Sequence, residues 1–437
     1  MNFIIYLKNI IKNPGLRSAG IYTFSSFFAK SVGFFLLFIY SNPFYIAVDE
    51  NGLLNLMYSS VYIFMPFLSL GIVQSTSVDF FKLNKEEFRD FFTSGFVMPV
   101  ATMLTGIAIL FLFRNDLKSA YNFPLSFVFI IPLLTILLFC AEQFLNIIRN
   151  NDEPVKYLKA SMVRLFIEAS LSVILVVSFA WRWKGRVAGM ILSNVAITIL
   201  AFFYFKKKGY LFGKIKKHYL KKELLYAGPI ILMQVSIFSL SSSDKFFLSY
   251  FADNNAVGIY SYACVFATML TILCSALLNY VTPKIYLCLS KTSVNFKEIS
   301  NYFLFYSVIT IAALIAILLI TPLLYKYFIN PKYFPGLDYL FLIALGYFFW
   351  NISCFFYSFM LFKKQKKKIL ILSSMYICIS LTNNFFFIKQ WNASGASVSV
   401  CISYFFVLII TLLACRKEVR LMLQASRHQQ PSLVLQN

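Results

Sequence analysis

The chain has 437 residues, of which 59% are hydrophobic and 13% are charged, and its mean hydropathy is +0.74. Soluble domains are about 45–50% apolar and about 25% charged, so this composition excludes an ordinary soluble protein. The formal net charge is +23, but the basic residues lie in short segments between apolar runs. That distribution is typical of the cytoplasmic loops of membrane proteins, and we expect no nucleic-acid partner.

Apolar runs of about twenty residues, the length that crosses a bilayer, recur along the whole chain. We therefore expect an all-α polytopic membrane protein with about twelve transmembrane helices and no soluble domain. In chain order the predicted spans lie at about 20–40, 52–76, 92–113, 125–147, 160–180, 187–205, 224–248, 257–280, 299–321, 338–361, 369–388 and 395–415. Prolines within these spans predict kinks at Pro66, Pro99, Pro132 and Pro229.

The basic residues are divided unequally between the two sides of the predicted membrane. The side that holds the N-terminus carries 29 Lys and Arg, and the other side carries 8, among which we count Arg186 just before the sixth span. Cytoplasmic loops carry the excess of Lys and Arg. The bias therefore predicts a multi-pass protein with both termini in the cytoplasm.

The longest loop, KKKGYLFGKIKKHYLKKE, divides the spans into two groups of six. This predicts an N-terminal lobe at 1–205, a basic cytoplasmic linker at 206–223, a C-terminal lobe at 224–415 and a cytoplasmic tail at 416–437. Gly52 and Gly258 are 206 residues apart, as are Gly189 and Gly395, and each pair has matching positions in the two halves. The spacing suggests two copies of one repeat in the same orientation, a common plan in transporters.

Ionisable side chains inside a bilayer cost several kcal/mol, roughly 2.5–3.5 on insertion scales, and are expected to face the bundle interior or a wet cavity. Six lie within the predicted spans: Lys30, Glu142, Arg164, Glu168, Asp244 and Lys245. Lys30 is central in the first span, where an ammonium group cannot easily reach the interface. We favour a functional cavity lysine over a structural ion pair at this position.

The other intramembrane charges have two readings each. Arg164 and Glu168 share one face of the fifth span, and Glu142 lies near the same depth. They form either a structural ion pair, within the helix or with Glu142, or a proton or sodium site. Asp244 and Lys245 are adjacent on the seventh span, so one can face a cavity while the other pairs elsewhere or snorkels to the interface.

The chain lacks the common sequence motifs of ATP-binding, hydrolase and metal sites. It has no Walker A, GxSxG or HExxH sequence, only two histidines, and eight cysteines without a CxxC pair. We therefore expect no cofactor, no metal site and no enzymatic activity.

Four stretches carry a family resemblance: DENGLLNLMYSSVYIFMPFLSLGIVQSTSVDFFK, GRVAGMILS, YAGPIILMQVSIFSLSSSDKFFLSYFADNNAVGIYSYA and SGASVSVCISY. On these the chain resembles the Wzx-type O-antigen and polysaccharide flippases of the multidrug/oligosaccharidyl-lipid/polysaccharide exporter (MOP) superfamily. The resemblance implies a MATE-like fold with two six-helix lobes around a central cavity. It further implies that undecaprenyl-pyrophosphate-linked oligosaccharide crosses the bacterial inner membrane, driven by a gradient of H+ or Na+.

The resemblance also implies roles for the intramembrane residues. Cations in the cavity would engage the pyrophosphate, a role that Lys30 matches by position and that Arg164 and Lys245 match less closely. Glu142, Glu168 and Asp244 are then candidates for ion coupling or for charge pairs. The implied partners are the lipid-linked oligosaccharide and membrane lipids, with a polysaccharide polymerase and chain-length machinery as candidates.

Three other functions compete with this reading. A multidrug or cation exporter of the same superfamily would favour carboxylates in its cavity, whereas three of the six groups here are cationic. A lipid II flippase would typically have fourteen spans. A membrane polysaccharide polymerase would carry a large outer loop, and the outer segments predicted here are only about a dozen residues long.

Overall fold

The computed structural model describes residues 33–34, 36–291 and 294–427, with the backbone alone at 225 and 226. Lys30, the central lysine of the first predicted span, lies outside the described residues. All regular elements within these ranges are helical, which confirms the all-α fold. The helices are α1 (Val48–Ser69), α2 (Ile72–Asp79), α3 (Lys85–Leu112), α4 (Arg114–Tyr121), α5 (Phe127–Asn150), α6 (Pro154–Val173), α7 (Arg182–Lys208), α8 (Lys217–Phe251), α9 (Asn254–Ser290), α10 (Phe296–Phe328), α11 (Leu337–Phe362), α12 (Lys366–Asn383), α13 (Lys389–Ala414) and α14 (Arg416–Arg427).

In the described part of the chain, nine helical segments are long and apolar enough to cross a membrane, and a tenth is the bent helix α8. This makes the protein a multi-pass membrane protein. One of the nine, Lys366–Ala414, has 49 residues and contains the eleventh predicted span and all but the last residue of the twelfth. Asn392 interrupts it with φ 47°, outside the helical region. The count of twelve spans stays a prediction.

Helix α8 bends by 41° between Leu224 and Ala227. Pro229 explains the bend, because a proline ring clashes with the carbonyl group four residues earlier in a helix. The turns before the bend contain lysines, and the apolar part follows it. The helix therefore changes direction where its composition changes from charged to apolar.

The chain divides into two compact units. Unit 1 comprises Met1–Phe238 and Ala252–Gly258, and unit 2 comprises Ser239–Phe251 and Ile259–Asn437. In unit 1, α5 packs against α1, α3 and α7, while α6 packs against α7. Gly189 permits the close approach of α6 and α7, because a Cβ there would lie 2.8 Å from the backbone nitrogen of Ser172.

Loop segments rich in lysine and arginine (77–91, 148–159 and 206–223) form what we call the basic end of unit 1. The linker between α7 and α8 is held here by Asp90 of α3, which accepts hydrogen bonds from the backbone of Lys214 at 2.7 Å and from the Lys216 ammonium at 2.8 Å. The hydrogen bond to Asp90 raises the pKa of Lys216. The linker is thus fastened to α3 through backbone and side chain together.

Aromatic side chains fill the core beneath the basic end. Stacked and edge-to-face rings there gain more than the burial of their area alone. The core comprises Phe88, Phe91, Phe92, Phe144, Phe205, Tyr210 and Tyr219. This packing holds the start of α8 against α3, α5 and α7.

In unit 2, helices α11 and α13 pack against each other, α10 packs against α11, and α12 packs against α13. Gly346 of α11 meets Val400 and Cys401 of α13, with 3.2 Å from its Cβ position to the Cα atom of Cys401. Helix α14 lies along α10, and Glu418 of α14 forms an ion pair with Lys363 at the end of α11.

Candidate substrate and ion sites in the two units

An ion pair inside unit 1 joins Glu168 of α6 to Arg186 of α7. Their Oε1 and Nη2 atoms are 3.0 Å apart, and the side chains are 20% and 15% exposed. Arg186 also donates to the hydroxyl group of Ser172 at 3.5 Å. The close packing of α6 on α7 at Gly189 places these three residues together.

Two tyrosines extend this group. The hydroxyl group of Tyr40 is hydrogen-bonded to Ser172, and the Arg186 guanidinium carbon lies 5.5 Å from the centre of the Tyr40 ring. Tyr58 of α1 lies near enough to Arg186 and Glu168 for electrostatic interaction. A guanidinium over an aromatic face is stabilised by the ring quadrupole, so Arg186 is held by a carboxylate, a hydroxyl group and a ring at once.

Arg164 and Glu142 lie next to this group, and Arg164 is only partly buried. Their charges interact, but among the described residues no carboxylate lies within 4.0 Å of the Arg164 guanidinium. Tyr62 is near Glu142, Arg164 and Glu168, and 67% of its surface is exposed. Glu142 is exposed as well. We call the set the unit 1 charge cluster: Tyr40, Tyr58, Tyr62, Glu142, Arg164, Glu168, Ser172 and Arg186.

The sequence left three alternatives open for Arg164 and Glu168: an ion pair within the helix, a pair with Glu142, or a proton or sodium site. In the structure Glu168 pairs with Arg186 of the neighbouring helix, not with Arg164. Arg186, which we counted among the outer loop residues, lies inside α7, three residues after Trp183, and is largely buried. The signal that could have found it is its position between Gly185 and Gly189, which marks a close helix contact.

A buried carboxylate in unit 2 belongs to Asp244 of α8, which is 3% exposed. Its Oδ2 accepts a hydrogen bond from the Tyr260 hydroxyl group, and its Oδ1 accepts one from the backbone N–H of Lys245 at 2.9 Å. The Lys245 ammonium forms no ion pair within 4.0 Å of a carboxylate in the described part of the chain. The two adjacent side chains therefore point in different directions, as the geometry of a helix requires.

Serine and asparagine side chains form a network beside Asp244. Asn384 donates to the Ser243 hydroxyl group at 2.8 Å and accepts from the Ser399 hydroxyl group at 2.5 Å. Ser380 donates to the carbonyl oxygen of Ser239 at 2.6 Å. Hydrogen bonds of this kind join helices inside membranes. We call Ser239, Ser243, Asp244, Tyr260, Ser380, Asn384 and Ser399 the unit 2 polar cluster.

The two clusters differ in what they can bind. The unit 1 charge cluster offers the Arg164 guanidinium, which has no carboxylate within 4.0 Å among the described residues and suits phosphate oxygens. The unit 2 polar cluster offers one carboxylate surrounded by neutral oxygens, which suits a proton or a small cation. Across the described residues, no group of three or more His, Cys, Asp or Glu side chains is arranged to hold a metal ion.

The family model described as "Polysaccharide biosynthesis protein" matches residues 16–284, which is more than half of the chain. The chain belongs to the polysaccharide biosynthesis protein family. This confirms the family that the sequence motifs predicted, and the matched region contains all eight residues of the unit 1 charge cluster.

Solved structures share the fold across almost the whole chain. An inward-facing multidrug resistance MATE family transporter of the MOP superfamily is 12% identical, with a TM-score of 0.68 over 89% of this chain and 96% of that one. The lipid II flippase MurJ in an inward closed conformation is 15% identical, with a TM-score of 0.68 over 92% and 90%. MATE in complex with MaD3S is 13% identical, with a TM-score of 0.61 over 95% and 98%. The predicted MATE-like fold is confirmed.

No curated protein has significant sequence similarity to the chain.

Proposed function

We propose that this polysaccharide biosynthesis protein is a secondary transporter, and that it flips an undecaprenyl-pyrophosphate-linked oligosaccharide across the bacterial inner membrane. The observation that carries the proposal is the family match over residues 16–284 in a chain with the fold of MATE and MurJ. The repeat unit would belong to an O-antigen, a capsule or a related polymer. Transport would proceed by alternating access, with both termini in the cytoplasm.

The unit 1 charge cluster supports a substrate with an anionic headgroup. A pyrophosphate diester carries about two negative charges and loses its hydration on entering the protein, a cost that buried cations offset. Arg164 has no direct carboxylate partner in the described residues, and its charge is therefore available to a ligand. We assign the same role to Lys30 and Lys245, whereas the Arg186 charge is taken up by Glu168.

The unit 2 polar cluster supports coupling to an ion. Asp244 is buried and has no cation within 4.0 Å in the described part of unit 2, and the Lys245 charge acts on it only from a longer distance. A proton or Na+ bound there would offset the cost of burying the carboxylate. Glu142 and Glu168 are further coupling candidates, although Glu168 is engaged by Arg186. A polysaccharide polymerase and chain-length machinery are proposed partners on the side where the oligosaccharide is delivered.

A drug or cation exporter is the alternative, because the MATE transporters share the fold as closely as MurJ does. The family match and the Arg164 guanidinium, which has no carboxylate partner among the described residues, favour the polysaccharide lipid. A membrane polymerase is disfavoured, since the outer segments predicted from the sequence are only about a dozen residues long.

The test is complementation in the native host deleted for this gene. Wild type, Lys30→Ala and Arg164→Ala are expressed at equal levels, and surface polymer and intracellular lipid-linked repeat units are measured. We expect wild type to restore the polymer, while both variants accumulate repeat units inside the cell. Lys332→Ala, which removes an exposed lysine outside the clusters, is the control and should behave as wild type.

Failure of wild type to restore the polymer, together with increased drug susceptibility of the deletion strain, would favour the exporter alternative. Full rescue by both variants would keep the flippase and remove Lys30 and Arg164 from its binding site.

A further inference from the structure

Glu223 is a buried carboxyl group at the start of α8 that neither cluster includes. Its surface is 1% exposed, and within the described residues neither carboxyl oxygen has a hydrogen-bond partner. Buried polar groups in proteins are almost always hydrogen-bonded. The exception at Glu223 therefore requires a physical explanation.

The side chain fits closely against α3. Gly95 lies beneath it, and a Cβ at that position would be 2.9 Å from Oε1 of Glu223 and 3.4 Å from Cγ2 of Ile72. Glycine in the interior of a helix costs roughly 0.5–1 kcal/mol relative to alanine. The close approach of the carboxyl group explains why a glycine occupies this position.

The charges around Glu223 do not neutralise an ionised carboxylate. Asp79 at the end of α2 accepts from the Lys222 ammonium with both of its oxygens, each at 2.8 Å. The charge of Lys222 is thereby directed to Asp79, and Asp79 and Lys222 are the charged groups that act on Glu223. An ionised Glu223 would add a second negative charge next to Asp79, and like charges at one site disfavour ionisation.

An ionised carboxylate in this place would be buried, unpaired and beside another carboxylate. Burying an unpaired charge costs so much that such groups take up a proton instead. A metal ion would require several oxygen ligands, and among the described residues no group of three or more His, Cys, Asp or Glu side chains could supply them here.

We propose that Glu223 is a proton-binding site at the basic end of unit 1, occupied in the arrangement described here. Release of the proton would place a charge between α2, α3 and α8 and weaken the packing of α8 on the other two. Helix α8 continues into the segment that carries Asp244 and Lys245. Binding of the proton requires no carried lipid, so the site stands independently of the proposed function.

The experiment measures infrared difference spectra of the purified full-length protein in lipid vesicles while the pH is raised. We expect a carbonyl band of a protonated carboxylic acid that disappears in the titration and is missing from Glu223→Gln. Glu153→Gln, which removes an ion-paired carboxylate of the same end, should keep the band. A Glu223→Gln spectrum that matches wild type at every pH would overturn the proposal.

A second variant tests the neighbours and keeps the proposal open to refutation if Glu223→Gln is not folded. Asp79→Asn removes the adjacent negative charge and frees Lys222, and both changes favour ionised Glu223. The titration of the band should therefore move to lower pH, by about one pH unit or more. An unchanged titration in Asp79→Asn would show that the titrating group is elsewhere.

Discussion

Gly52 of α1 and Gly258 of α9 lie in one contact, where each faces the backbone of the other helix. A Cβ on Gly52 would lie 1.8 Å from the carbonyl oxygen of Asn254, and a Cβ on Gly258 would lie 2.2 Å from that of Val48. The two glycines are the pair spaced by 206 residues in the sequence. Small residues at such contacts let two membrane helices approach closely.

Alanine at Gly52 or Gly258 should separate the two helices. The added methyl group overlaps a backbone oxygen that cannot rotate away, and overpacking of this kind costs about 1–3 kcal/mol. We expect each variant to melt at a lower temperature than wild type in the same detergent. Gly228→Ala is the matched control, because a Cβ at Gly228 has no atom within 4 Å, and it should melt at or above the wild-type temperature.

The Glu168–Arg186 ion pair should contribute more to the stability of the folded protein than Glu50–Arg182, an exposed pair of the same residue types. Arg186→Ala leaves the Glu168 carboxylate partly buried and without its partner. Removing one partner of a buried ion pair costs about 3 kcal/mol of folding stability. Glu50 and Arg182 are 2.9 Å apart, but Arg182 is 49% exposed, and exposed pairs contribute at most about 1 kcal/mol.

Double-mutant cycles on thermal stability measure both pairs. The coupling between Glu168→Gln and Arg186→Ala should exceed the coupling between Glu50→Gln and Arg182→Ala. Equal couplings would mean that burial does not strengthen the interior pair.

Asp244→Asn should abolish ion coupling and leave the folded structure intact. The asparagine side chain retains an oxygen that can accept from the Tyr260 hydroxyl group or from the backbone of Lys245, and the melting temperature should change little. Under the proposed function, transport of the lipid-linked oligosaccharide in vesicles should lose its response to an imposed ion gradient. An unchanged response to both H+ and Na+ gradients would exclude Asp244 as the coupling site.

Acid should weaken the attachment of Glu153 at the basic end. Burial alone would raise the pKa of Glu153, but hydrogen bonds from Tyr204, Lys156 and Lys208 lower it below its ordinary value of 4.5. A lowered pKa in the folded state contributes stability that is present above the ordinary value and is lost as the pH falls through the folded value.

The wild-type melting temperature should therefore decrease as the pH is lowered below 4.5. Glu153→Gln should lower the melting temperature at neutral pH and reduce its decrease in acid. Asp152→Asn, next to it, leaves the Glu153 contacts in place and should retain the wild-type acid dependence. Equal acid dependence of wild type and Glu153→Gln would assign the effect to other groups.

The fold and the family could be predicted from the sequence, and so could some local features. Hydropathy and charge distribution predicted the all-helical membrane fold, and the motifs predicted the family, because both are properties summed over many residues. Pro229 marked the bend in α8, since a proline acts on its own helix. The glycine spacing singled out Gly52 and Gly258, although it could not show that they meet.

The pairing of individual charges was decided by the tertiary structure. The sequence by itself determined that charged residues such as Arg164, Glu168 and Asp244 lie within helices of a membrane protein. Only the tertiary structure decided that Glu168 pairs with Arg186 and that Glu223 is buried without a partner. Ion pairs and burial depend on the rotation and separation of neighbouring helices, which side-chain packing between distant segments determines, whereas helix formation and membrane insertion depend on local composition.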